Sequence, residues 1–90
     1  MDFKNKNGLI FGVANHRSIA FNIAKFLSEN GAKIGYSYQN DRVKDSVEKS
    51  LEGLSPMFIE QCDVLDEKCL NGFFSKAKRE FENIDFIVHS

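Results

Sequence analysis

One stretch limits this chain more than any other: Gly8-Leu-Ile-Phe-Gly-Val-Ala-Asn-His-Arg-Ser-Ile-Ala20, an apolar run that stops at a glycine and reopens with helical periodicity. A strand over Gly8 to Val13, apolar at nearly every position, suits the middle of a parallel sheet covered by helices on both faces. A turn through Val13 to Arg17 and a helix starting at Ser18 then aim free backbone N–H groups at one point, which favours an anion.

The rest of the chain repeats the alternation. Ile19, Ile23, Phe26 and Leu27 form the expected apolar stripe of the first helix, and Asn30-Gly31 ends it. Phe21 falls off that stripe, which suggests a face turned toward another subunit or further chain. A second strand is expected over Ala32 to Tyr38, with Gly35 marking a bulge or close backbone approach and Tyr36 and Tyr38 as core or crevice wall. Asp41 is the expected cap of a segment carrying Val43, Val47 and Leu51, with Gly53 as its stop. Pro56 opens a third strand that closes on Gln61-Cys-Asp63. Asp66 then caps a helix with Leu70, Phe73, Phe74, Ala77 and Phe81 on one face, and Ile84 to His89 forms a fourth strand. The order βαβαβαβ with right-handed crossovers implies an α/β fold, the first half of a Rossmann-type doubly wound parallel sheet with strand order 3-2-1-4.

Composition narrows the function. Thirteen acids against 12 bases, a net charge of −1 and no basic stripe argue against nucleic acid as a partner. No apolar run approaches the roughly 20 residues that span a bilayer, and the N-terminus lacks a signal-peptide pattern, so the expected location is cytoplasmic and no membrane is expected as a partner. Cys62 and Cys69 have no second pair or nearby His, which suggests neither a disulfide framework nor a metal site.

In a doubly wound sheet, ligands bind beyond the carboxyl ends of the strands, where strand order reverses. The first loop departs from G-x-G-x-x-G: Ala14 stands where a second glycine is usual, so Gly12 to Ser18 serves equally as a plain strand–turn–helix joint or as a longer phosphate loop using the Ser18 hydroxyl and the Ile19 N–H. About 20 residues on, where an acid usually holds the adenosine ribose, stands Gln39. It bonds ribose hydroxyls without the charge that repels a 2′-phosphate, and Arg42 is either a solvated side chain or an attractant for one. Asp63 and Val64 leave the third strand as an acid and an apolar surface suited to adenine, or as a simple turn. His16 is expected to be an exposed loop side chain, and His89 a packed one.

Together, Gly12-Val-Ala with Arg17-Ser-Ile-Ala20, Tyr38-Gln-Asn-Asp-Arg42, Gln61-Cys-Asp-Val64 and Asp85-Phe-Ile-Val-His-Ser90 resemble the N-terminal third of bacterial NADH-dependent enoyl-acyl carrier protein reductases, divergent short-chain dehydrogenase/reductases. The resemblance implies that Gly12, Ser18, Ile19, Gln39, Asp63, Val64 and Ser90 contact the cofactor, NAD (NADH). It implies reduction of a trans-2-enoyl thioester on acyl carrier protein, and a homotetramer. Residues 1–90 then form the N-terminal dinucleotide-binding part of a single Rossmann domain. The family's catalytic tyrosine and lysine have no counterparts in it, so no residue here is expected to be catalytic and the piece alone is expected to be inactive. Another short-chain oxidoreductase, or a non-catalytic dinucleotide-sensing module, remains the alternative.

Overall fold

A computed structural model describes residues 2–15 and 17–89. Four parallel strands, β1 (Asn7–Phe11), β2 (Lys33–Tyr38), β3 (Phe58–Gln61) and β4 (Phe86–His89), lie in the order β3-β2-β1-β4. Helices α1 (Ile19–Glu29), α2 (Lys44–Leu51) and α3 (Glu67–Glu80) alternate with them. The expected topology is therefore present.

Each face of the sheet has its own core. On one, Ala20, Phe21 and Ala24 of α1 and Val47 and Leu51 of α2 pack on Ile10, Ile34, Tyr36 and Tyr38. On the other, Phe73 and Ala77 of α3, with Phe81 just beyond its end, pack on Leu9, Phe11 and Phe58. Aromatic rings dominate this second face: Phe11 and Phe73 are 4.9 Å apart between centroids, and Phe58 and Phe73 are 5.5 Å apart. Such pairs each contribute about 0.5–1.5 kcal/mol beyond their buried area.

Interior glycines make room for rings of the neighbouring strand. A Cβ on Gly35 would run into the ring of Phe58, its register partner on β3, and a Cβ on Gly8 would run into Phe86, its partner on β4. Because partnered residues in a parallel pair project to the same face and residues one step apart to opposite faces, Gly8 and Gly35 open these spaces on opposite sides of the sheet. The close approach expected at Gly35 is thus a ring seated on bare backbone.

Four local expectations are corrected. The first strand ends at Phe11, before Gly12. In α1 the buried residues are Ala20, Phe21 and Ala24, while Ile19 and Phe26 are 71% and 49% exposed. Ala20 and Ala24 let the helix lie close to the sheet, and Phe21 packs beside them in the same buried cluster instead of on an external face. The Asn40 side chain, and not that of Asp41, accepts the Arg42 N–H at 3.1 Å to cap a 3-10 turn over Asp41–Val43 that leads into α2. After α2, a 3-10 turn over Glu52–Leu54 carries the chain through Gly53, and Ser55 takes the left-handed conformation at φ 50°.

The other caps agree with the sequence. Asp66 accepts from the Lys68 and Cys69 N–H groups at the start of α3, and Gly31 closes α1 with φ 100°. Gly72, in the interior of α3, has open space where a Cβ would sit. Gly72→Ala is therefore expected to stabilise the fold by about 1 kcal/mol, read as a higher urea midpoint at unchanged slope. A lower midpoint would show that α3 needs the glycine for closer packing.

Candidate functional site

The sheet's carboxyl edge carries a cleft of about 250 Å³. Phe11 and Gly12 enter it from the end of β1, Ser37 and Gln39 from β2, and His89 from β4. Cys62, Asp63, Val64 and Leu65, leaving β3, close its other side. Its volume is below the roughly 300–1,000 Å³ usual for drug-sized ligands, so a ligand of that size or larger would extend beyond it onto the surface beside it.

Four of the seven sequence-derived residues, Gly12, Gln39, Asp63 and Val64, meet in this cleft although they leave three different strands. Gly12 has φ 89°, a conformation strained for any residue with a Cβ, and it turns the chain immediately after the strand. Gln39 is exposed at the end of β2, with its amide available to a ligand. Asp63 holds the loop by accepting the Leu65 N–H on Oδ1 at 3.0 Å, and its carbonyl accepts the Asp66 N–H at 2.9 Å. Val64 is 38% exposed and Leu65 88%, which gives the mouth an apolar side.

Ser18 and Ile19 stand apart from the cleft lining, at the start of α1. Ser18 is the N-cap, as expected: its Oγ accepts the Phe21 N–H at 3.1 Å and donates to the Asn15 carbonyl at 2.9 Å. Its hydroxyl is thus engaged within the turn, and the N–H groups of Ile19 and Ala20 are the helix's free donors. Asn15 Oδ1 accepts the Arg17 N–H at 2.8 Å and tightens the same turn. Ser90 and His16 lie outside the described residues.

Three further side chains define the chemistry. His89, expected to be packed, is exposed and lines the cleft, with its ring 6.4 Å from Phe11; β4 is an outer strand, so nothing among the described residues covers its end. Cys62 is buried, and that burial pushes its thiol up from the ordinary value, so it is a neutral neighbour at physiological pH and no nucleophile. Tyr36 is fully buried, its hydroxyl 3.3 Å from Ser28 Oγ and its pKa raised by desolvation, which removes it from any catalytic role. Sequence reasoning missed Ser37. Its alternation with Gln39 along β2 was the available signal.

Among the described residues no group of three or more His, Cys, Asp or Glu side chains could hold a metal ion, and no helix is long and apolar enough to cross a membrane. The site offers a positive-φ glycine turn, a capped helix start, a neutral amide, a carboxylate and an apolar mouth. That set can bind and orient a nucleotide. Among the described residues, no hydrogen bond joins the cleft's Asp63 and His89 into an acid–base pair, and the buried Cys62 thiol is not activated.

Comparison with known proteins gives the same picture. Residues 12–90 match the model of the family described as Enoyl-(Acyl carrier protein) reductase. The enoyl-[acyl-carrier-protein] reductase [NADH] 1 of Rhizobium meliloti (strain 1021) is 42% identical over 85 residues, covering 94% of this chain and 31% of that protein. The enoyl-[acyl-carrier-protein] reductase [NADPH] FabI of Staphylococcus aureus (strain NCTC 8325 / PS 47) is 40% identical over 93 residues, covering 100% of this chain and 36% of that protein. The crystal structure of an enoyl-(acyl-carrier-protein) reductase from Anaplasma phagocytophilum in complex with NAD superposes with a TM-score of 0.88 at 32% identity, covering 94% of this chain and 32% of that one. The chain spans about a third of the length of the curated relatives it matches. With the family model matched over residues 12–90, the chain belongs to the enoyl-(acyl carrier protein) reductase family.

Proposed function

We propose that this chain supplies the dinucleotide-binding part, within a single Rossmann domain, of an enoyl-acyl carrier protein reductase of fatty-acid synthesis that uses NADH. The observation that carries the reading is the convergence of Gly12, Gln39, Asp63 and Val64 on one cleft at the carboxyl edge of the sheet. In it, Gly12 lets the backbone approach the pyrophosphate, with the Ile19 N–H at the start of α1 as a further donor. Gln39 holds the adenosine ribose, and Asp63 and Val64 take the adenine. Ser90 is the sixth contact. The bound NADH supplies the hydride that reaches the β-carbon of a trans-2-enoyl thioester, while the α-carbon takes a proton. This chain's residues fix where the dinucleotide lies; none of them moves that proton.

Within this reading the enzyme is a cytoplasmic homotetramer that takes its substrate from acyl carrier protein, with neither nucleic acid nor membrane as a partner. A cofactor preference follows from Gln39. The relatives named for NADH and for NADPH are about equally similar to this chain, so overall identity does not set the choice. A neutral amide at the ribose does not repel a 2′-phosphate by charge, so the preference comes from shape and from the hydrogen bonds lost when a phosphate replaces the 2′-hydroxyl, and the exposed Arg42 three residues on works against it. In the full-length protein, kcat/KM with a crotonyl thioester is expected to favour NADH over NADPH by about 5- to 150-fold, equivalent to about 1–3 kcal/mol. Residues 1–90 alone are expected to turn over neither. A value for NADPH equal to that for NADH overturns the role of Gln39, and the absence of enoyl reduction overturns the function.

A further inference from the structure

The floor of the cleft carries a polar group that the reading above leaves unused. Ser37 is in register with Phe11, which is in register with His89, so the three form one row across β2, β1 and β4 on a single face of the sheet. Ser37 is only 1% exposed and still lines the cleft. Its hydroxyl has no hydrogen-bond partner among the described residues. Every fully enclosed side-chain nitrogen or oxygen among those residues is paired, so Ser37 Oγ opens into the cleft.

The surroundings offer this hydroxyl little. Its register neighbour on β3, Glu60, is paired with Lys76, and Asp63 Oδ1 accepts the Leu65 N–H; Phe11, Val64 and Leu65 are apolar, and the thiol of Cys62 is a weak donor. Buried hydroxyls are normally satisfied. Gln39, two residues on and just past the end of β2, is exposed at the rim of the same cleft.

We propose that the Ser37 hydroxyl is a binding group for the adenosine half of the dinucleotide, bonding a ribose or adenine heteroatom from beneath while Gln39 bonds the ribose from the rim. The proposal rests on the cofactor-binding reading above. The competing explanation is size: a small residue keeps the floor low, and the oxygen is incidental. Alanine separates the two, because it keeps the floor low and removes only the oxygen.

In the full-length protein, Ser37→Ala is expected to weaken AMP and ADP-ribose about 3- to 10-fold in calorimetric titrations, the range of one net hydrogen bond. Nicotinamide mononucleotide should be unaffected, and Ser37→Thr should keep most of the affinity for AMP. Unchanged AMP and ADP-ribose binding by Ser37→Ala overturns the proposal and leaves the cofactor reading standing. Equal weakening of nicotinamide mononucleotide also overturns it, since the effect would then be a general disturbance of the fold. No binding of NADH or ADP-ribose by the unsubstituted protein overturns both. Should Ser37→Ala fail to fold, Ser37→Cys, close in volume and a poor hydrogen-bonding partner, is expected to give the same weakening.

Discussion

Gly12→Val in the full-length protein is expected to abolish dinucleotide binding while leaving a folded chain. At φ 89° the backbone holds a conformation that L side chains rarely adopt, and forcing valine into it costs on the order of 1–3 kcal/mol. That strain lies at the end of β1, outside the pairing of β1 with its neighbours, so the sheet should persist at reduced stability. The cofactor fares worse, because the added methyl groups occupy the space through which the turn would approach a pyrophosphate. NADH fluorescence titration should show affinity lower by more than about 100-fold, a loss of about 3 kcal/mol, with the far-ultraviolet circular dichroism retained. Unchanged affinity would remove Gly12 from the site.

Gly35→Ala should have the second large effect, and on stability alone. Its methyl group would enter the volume of the Phe58 ring, which also packs on Phe73 and Phe81 and has little freedom to withdraw. Overpacking of this kind costs about 1–3 kcal/mol, and a site enclosed by aromatic rings belongs at the upper end. The cause is separable by a second substitution. Phe58→Leu shortens the obstructing side chain, so the double variant should be more stable than the two single losses summed, by about 1 kcal/mol or more in a urea-unfolding cycle. Strict additivity would mean that the clash is relieved elsewhere.

The sequence was most informative where one physical demand acted alone. Alternation of strand and helix periods, Ser18 and Asp66 as caps, Gly31 as a left-handed stop and the 3-2-1-4 order all follow from local preferences and the handedness of crossovers. It was less informative where tertiary distance decided. The stripe through Ile19 and Phe26 has helical spacing, but the separation of α1 from the sheet selects Ala20 and Ala24 and rotates the buried face onto Phe21. Asn40 and Asp41 are both competent caps, and the choice between them depended on where β2 releases the chain. His89 carries no sequence mark that distinguishes a covered strand end from an open one. Ser37 was hidden for a different reason, because a serine between two tyrosines looks like filler until its hydroxyl is found facing the cleft without a partner.

The central place of β1 also bears on the order in which the cleft can be built during synthesis. One edge of β1 pairs with β2, nearby in sequence, and the other with β4, where the Asn7 N–H donates to Asp85 Oδ2 at 2.8 Å and Asn7 Nδ2 donates to the Asn83 carbonyl at 2.9 Å. The first pairing closes a short loop, and the second must wait for residues 83–89 to leave the ribosome. Loop-closure entropy makes such distant pairings late steps even in refolding from denaturant. A nascent chain of which only residues 1–82 have emerged would therefore hold β3, β2 and β1, with Gly12, Ser37, Gln39 and Asp63 gathered and the wall at His89 still missing. Most of the cleft lining would exist before the sheet reaches its fourth strand, so, on the cofactor reading proposed above, a nucleotide would stabilise the emerging domain before its fourth strand is in place.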